Sequence, residues 1–540
     1  MPPTHQVTNQ VPPLTDYDVT AADPALWAGL SAAGAEPDPA LADLGRRYGS
    51  APLQQAARLA NEFPPRLRTH DPSGRRIDEV EYHPAWHLLI DTAVTAGLHA
   101  APWGPDPGPH AHLRRAAGFY LANHAESGHL CPISMTYAAV PALRRQPELA
   151  ARYEPGLTAR HYDARLRPAA SKTGLLAGMS MTEKQGGSDV QANTSTAQPD
   201  PASGDGAYRI TGHKWFTSAP MNDIFLTLAQ APDGLTCFLL PRVLEDGSRN
   251  AMQLVRLKDK MGNRANASAE IEYDGALAFR IGDEGRGVPT IIEMVTMTRL
   301  DCVLGSAGQL RAALSVAAHH AAHRSAFGRR LADQPAMTAV LADLATESWA
   351  ATLTGLRLAA AVDAGERDLL RLALPAAKFW VCKRAVPAIA EAAECLGGNG
   401  YVEESVMPRL QREAPLNGIW EGSGTVTALD AVRAIERSPE AVTALRDELA
   451  LAAGADPRYD AGLHHLDAAL AAPEPAHARG LASLAAKLLA GSLLIRHAPA
   501  AVADLYCATR LGADGDRVFG DLPGGFAVRD IATAVTPQTG

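Results

Sequence analysis

The stretch MTEKQGGSDV, residues 181–190, marks the point where the chain changes its pattern. Before it, from Ala51 to about Lys172, apolar residues recur at helical spacing, as in AWHLLIDTAVTAGLHAA and HLRRAAGFYLANHAE, broken by proline and glycine turns. After it, from about 176 to 285, runs such as AYRITGHKWFTS, DIFLTLAQ, TCFLLP and AEIEYDGALAF read as short strands separated by Asp-Gly and other turn pairs. The stretch itself offers Thr182, Ser188 and exposed glycine backbone in one loop. Such a loop can hydrogen-bond the polar edge of a flat heterocycle or a phosphate, and the same residues equally suit a polar turn between two domains.

Working outward, 540 residues exceed what one core usually supports, so two to four domains are expected. Residues 1–50 are rich in proline and turn formers and predict an extended arm. Residues 51–173 predict a helical domain, 174–287 a β-domain, and 288–437 a second helical domain after the loop GDEGRG. Residues 438–540 predict a further helical domain, opened by Ser438 and Pro439 as N-cap and first turn. The fold class is mainly α with a central β-domain, barrel-like in the family reading given below.

Composition excludes several classes. With 46% apolar and 20% charged residues and a slightly negative mean hydropathy, the chain reads as globular, neither disordered nor membrane-embedded. Its longest apolar run, LASLAAKLLAGSLLI at 481–495, is short for a membrane span, carries Lys487, and predicts a buried helix. A formal charge of -9 gives no overall attraction to polyanions. The six cysteines are scattered without a CxxC pair, and MPPTHQVTNQ lacks an apolar signal core, which predicts a reducing cytoplasm. The ending PQTG is not an SKL-type signal, which argues against a peroxisomal oxidase.

Three further motifs bear on chemistry. In GHKWFTS, 212–218, strand alternation predicts that Trp215 and Thr217 share a face. An indole beside a hydroxyl suits a flavin ring, as stacking surface and donor, and core packing of Trp215 is the plain alternative. In NGIWEGSGTV, 417–426, Glu421 stands between Trp420 and small residues, where partial desolvation would favour a general base. His319 and His323 lie four apart on a predicted helix, but no acidic third ligand accompanies them, and no metal site is predicted.

In this order the segments resemble the acyl-CoA dehydrogenase family of flavoproteins, which runs helical domain, β-domain, second helical domain. MTEKQGGSD resembles its TExxxGSD loop, Trp215 to Thr217 its WxT/S element and GDEGRG its GxEGxG turn. Arg324 to Gly328 resembles RxxFG, LGGNGY at 396–401 resembles LGGxGY, and WEGS resembles YEGT. The segments RLANEFPPRLRTHDPSGRRIDEVEYHPAWHLL at 58–89 and LCPISMTYAA at 130–139, with about a hundred residues beyond the usual end, resemble the AidB-like branch, linked to the bacterial adaptive response to DNA alkylation.

The resemblance implies FAD as cofactor and an acyl-CoA, short or branched, as substrate. It implies that Met181, Thr182, Ser188, Trp215, Phe216, Thr217 and Ser218 line the isoalloxazine. Arg324, Phe327, Gly397, Gly398 and Gly400 would reach the adenine and diphosphate part from a neighbouring subunit, making a homotetramer. Trp420, Gly422, Ser423 and Thr425 would border the cofactor, and Glu421 would be the base that removes the substrate α-proton while a β-hydride goes to flavin N5. The alternative base of some relatives falls on Thr298, before Arg299. Two cofactor contacts depart from the pattern: Ser423 and Thr425 replace the usual threonine and glutamine, and Gln334 stands ten residues after Arg324, with Pro335 at eleven.

The branch also implies double-stranded DNA as a partner, through basic surface on the last domain. Residues 441–540, however, hold eight Lys/Arg against eleven Asp/Glu, whereas phosphate binding needs several local cations. HRSAFGRR and VCKRAV are the other basic segments, and solvated helix faces are their plain reading. The second functional reading is therefore a DNA-binding, protective flavoprotein with little or no dehydrogenase activity.

Overall fold

The computed structural model describes residues 4–512 and 518–538. The first residues of the arm, the end of PQTG, and Asp514, Asp516 and Arg517 of the charge tally lie outside the described residues. The chain forms two compact units. One comprises residues 55–111 and 126–298, the other 1–54, 112–125 and 299–540.

The first unit contains the β-domain. Its strands are β1 (Ala177–Ser180), β2 (Thr196–Pro199), β3 (Ala207–Ser218), β4 (Ile224–Ala231), β5 (Gly234–Pro241), β6 (Met252–Leu257) and β7 (Ser268–Ile281). They pair in the order β1-β4-β2-β3-β7-β5, β5 also pairs with β4, and β6 adds to β7, so the sheet curls back on itself. Closure removes two sheet edges and encloses a core of Ile210, Phe225, Phe238, Leu240, Leu254, Ile271 and Tyr273. Each such side chain contributes roughly 1.5–3 kcal/mol on burial. The run AEIEYDGALAF is one strand as expected, and Asp274 and Gly275 lie inside β7: Gly275 takes a φ of +72° and forms a bulge, which only glycine adopts cheaply.

Helices Pro84–Thr95, Leu130–Leu143 and Pro147–Leu157 belong to the same unit. The region 51–173 was expected to be helical, yet residues Arg66–His70 and Arg76–Glu81 pair as an antiparallel hairpin. Its turn is local chemistry: the Asp71 carboxylate accepts from the backbone N–H groups of Ser73 and Arg75, and Gly74 has a φ of +81°.

The second unit is helical. From Arg299 it continues the helix Gly287–His323, then adds Pro335–Asp363, Arg367–Glu394, Gly424–Arg437, Pro439–Ala450, Pro457–Ala471 and Ala478–His497. The arm is not wholly extended, because Pro24–Ala32 and Pro39–Gly49 are helices. Each begins with an Asp-Pro step in which Asp23 or Asp38 accepts a backbone N–H bond, so those prolines start helices rather than prevent them.

Helix Pro439–Ala450 starts at Ser438 and Pro439 as expected, although the Ser438 side chain makes no capping bond. Ala478–His497 belongs to the one segment among the described residues that is long and apolar enough to cross a membrane. Its Leu481, Leu488, Leu489 and Leu494 are buried against the neighbouring helices of the unit, which is the packing expected of a core helix.

Candidate active site

The loop after β1 is shaped by a buried ion pair. Lys214 of β3 donates to the Glu183 carboxylate at 2.9 Å and to the Leu228 carbonyl at 2.7 Å, and both charged side chains are fully buried. Glu183 also accepts from the backbone N–H groups of Thr194 at 2.7 Å and Ser195 at 3.1 Å. The loop is thereby tied to the barrel at both ends. Burial alone would raise the Glu183 carboxyl, but the Lys214 ammonium and the peptide donors outweigh it and hold it well below the usual carboxylate range.

A carboxyl lowered in the folded state stabilises at neutral pH, and that contribution is lost as the pH falls from the ordinary value of about 4.3 toward the folded one. The unfolding free energy of wild type minus that of Glu183→Gln should therefore shrink in urea titrations run from pH 6 down to pH 3. A difference independent of pH would contradict this.

Met181 and Thr182 are half-buried, and Gly186, Gly187 and Ser188 are exposed. A Cβ on Gly187 would lie 2.4 Å from the Thr182 hydroxyl, so the loop folds closely over that side chain. Asn193, which the sequence reading missed, donates to the Met181 carbonyl at 3.2 Å, while its own Oδ1 is a buried acceptor that meets no donor among the described residues. Nothing in the sequence distinguishes it from other loop asparagines.

Trp215 and Thr217 do not share a face. Lys214 pairs with Ile271 and Thr217 with Ala269, so Trp215 and Phe216 together oppose Glu270 in a bulge that breaks the alternation. Thr217 points inward with Lys214, its hydroxyl 2.6 Å from Ser180 Oγ. Trp215 and Phe216 stand on the other side, where the Lys258 ammonium, paired with Glu270, lies 3.2 Å from the centre of the indole. Phe216 is 48% exposed, and Ser218 lies next to Ser268.

In the second unit, Glu421 sits in a sharp turn before helix Gly424–Arg437. Its φ is +58°, followed by +97° at Gly422. A glutamate there carries strain of about 1–2 kcal/mol. Two cations hold the turn by its carbonyls. Arg299 Nε donates to the Glu421 carbonyl at 3.0 Å, and Lys378 Nζ donates to those of Trp420, at 2.7 Å, and Gly422. Asp430 fixes Arg299 with a 2.6 Å bond and also binds Arg371. Burial would raise the Asp430 carboxyl, and Arg299 followed by Arg371 reverse this, keeping it below its ordinary value.

Trp420 is half-buried, and its indole N–H donates to Asn417 at 3.0 Å. Ser423 precedes the helix, and the Thr425 hydroxyl accepts a 3.2 Å bond from Arg479, a residue of the appended helices. The sequence reading missed Lys378, Asp430 and Arg479, and used Arg299 only as a landmark. Thr298 bonds its own helix backbone, at Met294 and Val295.

The other cofactor candidates occupy two local structures. Ser325 and Ala326 pair with Arg330 and Arg329, leaving Phe327 and Gly328 as a two-residue turn with φ of +53° and +75°. This displays Phe327, which is 99% exposed, while Arg324 donates to the Asn9 carbonyl. Gln334 donates to the Ala326 carbonyl at 2.9 Å, which gives the displaced glutamine a role in bracing the hairpin. In LGGNGY, Gly397 has a φ of +59° and, like Gly398, open space beside it. Gly400 is different, since a Cβ there would lie 2.1 Å from the Ala393 carbonyl; it is required for packing. His319 donates through Nε2 to the Pro12 carbonyl at 2.9 Å, and no metal-binding group of side chains occurs among the described residues.

The first unit fits a flavin's polar edge, which carries both donors and acceptors. It presents hydroxyls at Thr182, Ser188 and Ser218, exposed glycine backbone, and the unsatisfied Asn193 oxygen. Comparison with known proteins identifies the domains. Residues 9–164 match the adaptive response protein AidB N-terminal domain, 178–276 the acyl-CoA dehydrogenase middle domain, and 285–436 its C-terminal domain.

The chain is 42% identical to AidB of Escherichia coli (strain K12) over 95% of each chain. It superposes on Caenorhabditis elegans ACDH-11, solved in complex with C11-CoA, with a TM-score of 0.83 at 27% identity, covering 96% of this chain and 95% of that one. Butyryl-CoA dehydrogenase from Megasphaera elsdenii shares the fold, with a TM-score of 0.58 at 19% identity over 74% of this chain and 99% of that one. The chain belongs to the AidB-like branch of the acyl-CoA dehydrogenase family, a family of FAD-dependent oxidoreductases.

Proposed function

We propose that the protein is an FAD-dependent acyl-CoA dehydrogenase in which Glu421 removes the α-proton of an acyl thioester. The observation that carries this reading is the Glu421 turn, a strained carboxylate-bearing residue whose own carbonyl and both neighbours' are hydrogen-bonded by Arg299 and Lys378. Backbone strain of this kind persists where surrounding contacts over-determine it, and it clusters at sites that orient a reacting group. FAD, when bound, supplies the hydride acceptor. Met181, Thr182, Ser188 and Ser218 would hold it, with Trp215 and Phe216 beside it, whereas the Thr217 hydroxyl is buried against Ser180 and braces the strand beneath them. The C11-CoA bound by the C. elegans relative supports an acyl-CoA as ligand class.

The test is the absorption spectrum of the purified protein, followed by anaerobic titration with short, branched and medium-chain acyl-CoAs. Bleaching of the flavin by any of them is the expected result. A protein with bound flavin that no acyl-CoA bleaches overturns the dehydrogenase reading.

The second reading, a DNA-binding protective flavoprotein active in the alkylation response, is favoured by the AidB relationship and by one local feature. Lys383 of VCKRAV and Arg479 both lie over the Phe379 ring, and Lys487 lies over Trp380, so cations gather in spite of the acidic totals. Duplex binding that weakens steeply with salt and is lost in the double variant Lys383→Glu, Arg479→Glu would support it. We also propose a homotetramer in a reducing cytoplasm. The exposed Phe327 and Tyr401 would meet a neighbouring subunit's cofactor, and all six cysteines are buried and form no disulfide.

A further inference from the structure

We infer that Lys378, assisted by Arg299 and Asp430, is a positioning device for Glu421, a role that rests on the dehydrogenase reading above. Lys378 lies in the middle of helix Arg367–Glu394 and is 1% exposed. Burying an ammonium is costly unless it is paired with a carboxylate or fully hydrogen-bonded. Among the described residues Lys378 binds no carboxylate; its partners are the carbonyls of Trp420 and Gly422, which flank Glu421 on either side. The cation is therefore committed to the shape of one turn.

The turn needs that commitment. At a φ of +58° the glutamate is in the left-handed region, from which a non-glycine residue relaxes unless it is restrained. Lys378 fixes the carbonyls before and after it, and Arg299 fixes its own. Together they set the two peptide planes that determine where the Cα–Cβ bond of Glu421 points. The neighbouring thiols do not compete for the ammonium, because burial holds Cys302 and Cys382 above the ordinary thiol range and so neutral. Arg299 is set in turn by Asp430, whose second oxygen is anchored by Arg371. A base misplaced by about 1 Å can lose on the order of 100-fold in rate while substrate binding is untouched, because binding does not depend on the proton-transfer geometry.

The experiment compares wild type, Lys378→Met and Asp430→Asn as flavin-loaded full-length proteins. Three quantities are measured: the rate constant of anaerobic bleaching by a saturating acyl-CoA, the acyl-CoA Kd, and backbone amide exchange. For Lys378→Met we expect bleaching about 100-fold slower, Kd within about threefold of wild type, and faster exchange confined to residues 419–424. Asp430→Asn, which keeps the buried lysine, should show the same pattern at about 10-fold.

Exchange at 419–424 unchanged in both variants overturns the proposal, as does a loss that appears in Kd and not in the rate. If Lys378→Met does not fold, Asp430→Asn decides alone. Failure of the dehydrogenase reading shows separately as a wild-type flavin that no acyl-CoA bleaches, and the exchange comparison then still judges the clamp on the turn.

Discussion

Glu421→Gln should retain its flavin and lose flavin bleaching by acyl-CoA by about 10²–10⁴-fold, the range that a positioned general base contributes. Glutamine keeps the shape of the side chain and cannot accept a proton at neutral pH. It also leaves the turn intact, because the bonds from Arg299 and Lys378 go to backbone carbonyls and not to the carboxylate. Fold and cofactor content should thus match wild type while the rate collapses. Stopped-flow absorbance under anaerobic conditions measures this directly. Retained bleaching within a factor of three would assign the base to another group, and Thr298 is a poor one because its hydroxyl is engaged with its own helix and lacks a suitable basicity.

The second large effect concerns the loop after β1. Lys214→Met should destabilise the protein by about 3–5 kcal/mol, since it leaves the Glu183 carboxylate buried and without its cation. The variant should also lose flavin, because Glu183 fixes Thr194 and Ser195, and Lys214 reaches toward the Met181 carbonyl at 3.4 Å. Replacing both partners, as in Glu183→Leu with Lys214→Met, should recover only part of the stability. The buried charge is gone, but the Thr194 and Ser195 amides lose their acceptor and remain unpaired. Urea denaturation of the two variants and their flavin-to-protein ratios check the prediction. A single variant within about 1 kcal/mol of wild type would mean that the pair is not a structural element of the loop.

Much of the architecture was legible in the chain because its signals are local. AYRITGHKWFTS became β3 residue for residue, and TRLDCVLGSAGQLRAALSVAAHHAAHR became part of one long helix, since each alternates or repeats strongly enough to be read alone. What escaped depends on neighbours distant in sequence or on one inserted residue. The Trp215 and Phe216 bulge shifts the side-chain faces without leaving a compositional mark. Asp-Pro steps at 23–24 and 38–39 look like breaks in an arm, and turn out to be helix starts because the aspartates cap them. At the candidate site, the Glu421 turn could be found from its pattern. Lys378, some 40 residues earlier in the chain, could not: a lysine among alanines on a helix reads as a solvated face.

The hydrogen bond from Arg479 to Thr425 alters how the last hundred residues should be regarded. A segment added to a family's usual end invites treatment as a module that can be cut away or exchanged. Here a side chain from that segment touches the helix start beside Glu421, and Glu448 of the same segment is held by Arg357 and Arg496. The addition has grown into its host, so a chain shortened at residue 437 is a damaged protein, not an ancestral enzyme.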